Sequence, residues 1–329
     1  MKEVALYFPN MKCLSNMDEA LRFVDLTKIP QLFSFAFMEN DPNFSDYVIN
    51  LRSLHCMQEF MRQGLEFSRL YFGQEFCQNL IPPPNEIEQS YYFSRQLGWK
   101  YTYVTGGYQT AEGLEKVRRN LAKLKEIGAE ADVVFNDWGV MRILMREYPE
   151  FGRWMGRLLN KQTRLNLFTI PQHAFPVLGE ELQASVEEIR EKQIRAYADT
   201  SLNNPEFNQA LLDWGVKNVD MDIMAQGIMR PSDGWQMDLG LYFPWSFIAT
   251  GRNCATCGTV NPYRTYQITD APCPRPCQKY NCSPEFRDYR LTVMQRGPGI
   301  FASTIDYAIP YLSGQFPFER LIYEPYIPL

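Results

Sequence analysis

From residue 68 onward the chain alternates short apolar runs with amphipathic helical stretches at a period of roughly 30 residues, and this period restricts the fold more than any other feature. The run 68–72 leads into a loop with Pro82, Pro83 and Pro84, and Asn85 is placed to cap a helix that stops near Gly98. Residues 101–105 read as a strand broken by Gly106 and Gly107. Thr110 then suits the N-cap of a helix whose Leu114, Val117, Leu121 and Leu124 share one face, ending at Gly128. A strand at 132–135 and a helix carrying Val140, Ile143 and Leu144 complete a third unit. Strands joined by helical crossovers pair in parallel, so the expectation is an α/β fold with helices outside a parallel sheet. Further runs at 153–158, 219–223, 236–243, 300–304 and 320–323 bring the strands to eight, the number of a TIM-like (β/α)8 barrel.

Two regions stand apart from the period. Residues 1–62 read as an N-terminal extension of uncertain fold, with apolar runs at 4–8 and 32–37 around a helical stretch at 17–26. The barrel domain, 63–329, is interrupted at about 160–204 by a polar helical insertion whose Leu182, Val186 and Ile189 form a narrow apolar face. A solvated helix is the plain reading; a lid or partner-binding arm is the sharper one.

Composition excludes several classes. The net charge of −5 argues against nucleic acid or an anionic membrane as the main partner. No run of about 18 apolar residues is present, so no membrane span is expected, and the N-terminus lacks the pattern of a secretory signal, which predicts a cytoplasmic protein. In that reducing compartment eight cysteines point to metal chemistry rather than to a disulfide framework.

Five of the eight cysteines crowd into the loop 253–282: Cys254, Cys257, Cys273, Cys277 and Cys282. The segment is too polar to order itself by burial, whereas thiolates in two close pairs bound to a metal would order it. The spacing of Cys254 with Cys257 and of Cys273 with Cys277 suits a structural zinc; the wider second pair and the stiffening Pro272, Pro274 and Pro276 suit a four-iron cluster equally. The two histidines, His55 and His173, have no partner at ligand spacing, and there is no His-Glu-x-x-His or Gly-x-Ser-x-Gly motif and no phosphate-binding glycine loop.

Asp137 lies where the third strand of this series ends, a position that faces the usual site of such folds and also suits an N-cap. Arg153 or Arg157 would match a substrate carboxylate or phosphate, although solvent exposure is the simpler expectation. Asp220 and Asp222, two apart on a strand, share a face, and in a barrel interior both need partners.

Taken in order, LYFGQEFC at 70–77, VFNDWG at 134–139, GRLLNKQ at 156–162 and a cysteine stretch ending CPRPCQKY resemble the collagenase-like peptidase family (class U, family thirty-two), in its short branch with the proteins of oxygen-independent ubiquinone hydroxylation. The resemblance covers about residue 63 to the C-terminus. It implies a TIM-like barrel holding a [4Fe–4S] cluster on Cys77, Cys254, Cys273 and Cys277, with Cys77 replacing Cys257 and with Cys282 a bystander. It also implies a redox modification without dioxygen, in which Asp137 and Arg157 position a small-molecule substrate. The proteins it resembles work as pairs of related chains, so a homologous partner or a homo-oligomer is expected. The chain ends directly after the run that should be the last strand, which leaves barrel closure in question and predicts an uncovered face. A cluster-bearing subunit that only stabilises an enzyme partner is the alternative. Peptidase activity ranks last, since no activated nucleophile or hydrolytic zinc set is present.

Overall fold

The computed structural model describes residues 3–22, 44–164, 180–231, 234–260, 273–279 and 293–329. Its frame is a closed barrel of eight parallel strands: β1 (Glu3–Phe8), β2 (Phe67–Gly73), β3 (Lys100–Val104), β4 (Ala131–Phe135), β5 (Gly152–Met155), β6 (Asn218–Asp222), β7 (Asp238–Phe243) and, after two excursions, β11 (Arg320–Tyr323). Their order around the barrel is β1-β11-β7-β6-β5-β4-β3-β2, so β11 closes the ring between β1 and β7. Between β7 and β11 the chain builds a separate antiparallel sheet of β8 (Trp245–Ala249), β9 (Val293–Arg296) and β10 (Gly299–Ser303), with β10 central.

The expected (β/α)8 class is therefore present and the barrel is closed, but two staves differ from those expected. Residues 3–8, assigned above to an extension, form a barrel strand, and the run expected at 300–304 belongs to the antiparallel sheet. The strand expected at 153–158 stops at Met155, and residues 157–159 form a turn. The apolar run at 32–37, His173, Cys282 and residues 165–179 of the insertion lie outside the described residues, as do the side chains of Leu182 and Val186.

Helices cover the outside. Among the described residues these include α1 (Phe44–Met61), α2 (Pro84–Gln96), α3 (Ala111–Glu126), α4 (Trp138–Glu147), α5 (Glu180–Ala198) and α6 (Pro205–Asp213). None is long and apolar enough to cross a membrane. α3 begins and ends as its sequence demands: the Thr110 side chain accepts from the Gly113 N–H at 3.3 Å, Val117, Leu121 and Leu124 are buried, and Gly128 follows at φ +64°. Asn85 does not cap α2, which instead starts with Pro84 in its first turn, where a missing N–H costs nothing. The insertion helix α5 leaves Ile189 exposed.

Strand alternation sorts side chains into two cores. Leu6, Phe8, Leu70, Phe72, Phe135, Met155 and Leu241 pack outward against the helices. Ala5, Tyr7, Tyr71, Val104, Val134, Trp154, Tyr242 and Ile322 fill the barrel itself. At the floor, where the strands start, Arg69 binds Glu3 (3.0 Å), Asp132 (2.6 Å) and Thr102 (2.8 Å). Arg320 binds Glu3 (2.6 Å) and the Tyr71 hydroxyl (2.6 Å) and lies 3.7 Å from the Trp154 ring centre. Burial pushes the Glu3 carboxyl up, but Arg320 and Arg69 outweigh it and hold it below the ordinary value. Glu3 on β1 and Arg320 on β11 thus tie the first strand to the last.

Candidate functional site

The opposite end of the barrel, where the strands finish, is closed by a buried ion network. Arg157, two residues past β5, is wholly buried, which corrects the expectation of solvent exposure. Its five N–H donors are all taken. Nε and Nη2 donate to Glu75 at 3.1 and 2.6 Å, Nη2 also donates to Glu324 at 2.6 Å, and Nη1 donates to Asp222 at 3.0 Å and to the Trp245 carbonyl at 3.1 Å. The guanidinium also lies 3.6 Å from the Tyr242 ring centre.

Each acid comes from the end of a different strand: Glu75 after β2, Asp222 at the last position of β6, Glu324 after β11. Arg164 supplies the second cation. It binds Asp222, donates to the Arg157 carbonyl at 2.6 Å and stacks 3.8 Å over Phe247. Gln162 pins the Asp222 backbone from both sides, donating to its carbonyl and accepting its N–H, each at 3.2 Å. Burial drives the Glu75 and Glu324 carboxyls upward while Arg157 opposes it; burial pulls Arg157 down, and the three acids more than reverse that.

Two of the sequence motifs meet here. Asn136 donates to the Thr105 carbonyl at 2.9 Å and accepts the Leu158 N–H at 3.0 Å. Gly156 makes room for it, because a Cβ there would stand 2.1 Å from Asn136 Oδ1. Gly107 is likewise more than a turn residue: its N–H donates to the Glu75 carbonyl at 2.9 Å, and a Cβ would stand 2.8 Å from the Asn136 carbonyl. Asp137 serves as the N-cap of α4, with one oxygen accepting from Gly139 N–H at 2.7 Å and the other from Gln109 N–H at 3.1 Å. It stands outside the buried network, and its neighbour Asn136 faces the mouth.

Asp222 has found the partners that its position demanded; Asp220, one layer deeper, has not. Among the described residues neither of its oxygens has a hydrogen bond of normal geometry, and burial pushes its pKa up to about 7, against the pull of Arg320 and the adjacent Tyr71 hydroxyl. A buried acid raised this far carries its charge only at a cost to stability as pH rises toward and past neutrality.

The cysteines gather at the flank of this mouth. Cys77 precedes a turn, Gln78–Leu80, that follows β2; Cys254 follows β8; Cys273 and Cys277 bracket the start of the turn Pro276–Gln278. Cys77 lies within electrostatic reach of Cys277, Cys254 and Cys273, and Cys254 within reach of Cys277, Cys257 and Cys273. Two sulfurs already accept backbone N–H groups: Cys254 from Cys257 at 3.3 Å, Cys273 from Arg275 at 3.4 Å. Burial pushes Cys77 up to about 12 and Cys254 up to about 11, which keeps the free thiols protonated; a bound cation would invert that balance. Among the described residues no group of three or more His, Cys, Asp or Glu side chains is arranged to hold a metal ion as it stands. The donor chemistry nevertheless fits one: four thiols from three separate segments, with N–H···S contacts of the kind that tune clusters.

Glu75, Arg164, Asp222 and Glu324 were not singled out as one site from sequence. The available signals were the Asp220–Asp222 pair, which called for a cation, and Glu75, two residues before Cys77 in the LYFGQEFC motif. The chain matches no protein-family model, no curated protein and no solved structure.

Proposed function

We propose that this chain is a cluster-carrying (β/α)8 redox protein, with Cys77, Cys254, Cys273 and Cys277 as the ligands of a [4Fe–4S] cluster. The observation that carries the reading is the approach of these four thiols, from segments far apart in sequence, to one flank of the barrel mouth. When bound, such a cluster supplies one-electron transfer. The backbone N–H groups of Cys257 and Arg275 stabilise negative charge on Cys254 and Cys273. The ion network locks the loop that carries Glu75 and, two residues on, Cys77, so that this ligand rests on a rigid base.

Together with the family resemblance, this points to an oxygen-independent hydroxylation or a related redox modification of a small molecule, in a cytoplasmic complex with a homologous chain. A zinc on the same thiols is the alternative occupant. One observation favours the second reading, a cluster-bearing subunit that stabilises an enzyme partner: Arg157 spends every donor on the protein and Asp137 caps a helix, so neither has a group free for substrate. Anaerobic purification with iron, sulfide and zinc analysis tests the cluster. A brown protein with about four irons per chain is expected; a colourless protein with one zinc refutes it. A stable stoichiometric complex that is active only through its partner would select the subunit reading.

A further inference from the structure

Beside the thiols, on the β2 side of the mouth, a cleft of about 440 Å³ opens between the turn after β1, the segment after β2 and the Cys273–Cys277 turn. The volume is that of a compact organic ligand's site. Its chemistry is set by the charged Lys12, Glu86 and Arg275 and the buried Gln74, with Asn10 and Gln278 also polar, against an apolar wall that includes Met11 and Ile81.

Gln74 is only 1% exposed, and its Oε1 accepts the Phe76 N–H at 3.1 Å, which settles the orientation of the amide. Among the described residues its Nε2 has no hydrogen-bond partner. A buried donor left unpaired costs about 1–3 kcal/mol, and an acceptor in the cleft would satisfy it. Among the described residues that line the cleft, Lys12 and Arg275 face a single acid, Glu86, leaving one net positive charge. That balance suits a monoanion; a dianion would crowd Glu86. Arg275 is held at φ +55° immediately before Pro276, a left-handed conformation that non-glycine residues rarely adopt and that prolines disfavour in the residue before them. Its backbone N–H donates to Cys273, so the residue that lines the cleft also supports a thiol.

We propose that this cleft binds a compact organic monoanion, a carboxylate on a small apolar body, with Gln74 Nε2 donating to a carboxylate oxygen and with Lys12 and Arg275 holding the charge. The site stands whether or not the thiols carry a cluster.

Ligand-observed NMR titrations of the full-length chain with benzoate, benzamide and phenyl phosphate test it, with iron content measured on the same samples so that loss of a cluster is told apart from loss of the cleft. Benzoate is expected to bind roughly tenfold more tightly than its neutral isostere benzamide, and no more weakly than phenyl phosphate. Lys12→Gln and Arg275→Gln, both at exposed positions, should each erode the preference for benzoate over benzamide. Gln74→Glu, which keeps the bond to Phe76 but replaces the donor with a negative charge, should abolish benzoate binding. Equal affinity for benzoate and benzamide, tighter binding of phenyl phosphate, or a preference unchanged in both cation variants would overturn the proposal.

Discussion

Replacing Arg157 with Met is the most direct test of what closes the barrel. Met keeps much of the side chain's apolar volume while removing all five donors, and it strands Glu75, Asp222 and Glu324, each fully buried, with Arg164 as the remaining cation of the network. Removing one partner from a buried ion set costs about 3–5 kcal/mol, against a total stability of roughly 5–15 kcal/mol for a domain. The loss should depend on pH. Burial already holds Glu324 well above the ordinary carboxylate range, with Arg157 opposing. Without that opposition the folded chain binds this proton still more tightly than the unfolded chain does. Stability therefore falls as pH rises from the unfolded glutamate value, ~4.3, through the folded one, and the defect is complete above it. Urea unfolding followed by circular dichroism at about pH 5.5 and about pH 8 reads this directly. The variant should be less stable than the parent at both; because the two share an unfolded state, the gap grows only where the parent's own Glu324 ionises, so it should be no narrower at the higher pH. Arg157→Lys keeps a charge but not the planar fork and should fall between the two. A variant as stable as the parent, or a gap that narrows at the higher pH, would refute the reasoning.

Asp220→Asn should stabilise the chain by on the order of 1–3 kcal/mol above neutral pH and leave it unchanged near pH 4. The sign follows from a folded pKa raised to about 7: the buried charge is absent in acid and is imposed as pH rises through that value, which thermal melts across the range would show. Cys77→Ser should lose the iron of the anaerobic preparation while Cys257→Ser retains it, measured by metal analysis and by the visible spectrum. Asp137→Ala should cost about 1 kcal/mol of thermal stability through loss of the cap on α4, and Asp137→Asn much less, since Asn caps nearly as well; a large catalytic loss in Asp137→Asn at unchanged stability would instead give this residue a direct role.

The fold was legible where local rules decide it. Thr110, the stripe of Val117, Leu121 and Leu124, and Gly128 mark α3 without reference to anything distant, and the βα period predicts the parallel sheet. What it could not reveal was β1, because the excursion between β1 and β2 is much longer than one period and its apolar run looks like any short strand. Nor does an apolar run announce its pairing: β10 reads like a barrel strand, yet pairs antiparallel with β8 and β9. The site was legible in proportion to how local its signals were. Asp220 and Asp222 on one strand face announced a buried cation, but its identity lay outside the strand, in the turn after β5, and its other partners are at 75 and 324. No sequence pattern joins residues that meet only because a barrel closes. Arg157 alternates as a half-exposed strand residue would until the strand is seen to end at Met155.

That burial bears on where chemistry can take place. In a (β/α)8 fold a ligand ordinarily meets the strand ends along the barrel axis. Here the axis is filled by Arg157, its three acids and the Tyr242 ring, and a network with every guanidinium donor satisfied has nothing to offer a substrate without first losing several buried bonds. Groups with unspent capacity lie off the axis: the thiols on the β2 flank and the Gln74 amide, which lines the cleft together with Arg275, a residue whose N–H donates to Cys273. The network is then best understood as a rigid base for the loops at the mouth. It fixes Glu75, and through the short link to Cys77 it holds the flank in place, so weakening Arg157 should loosen the thiol set even though no Arg157 atom bonds to a sulfur.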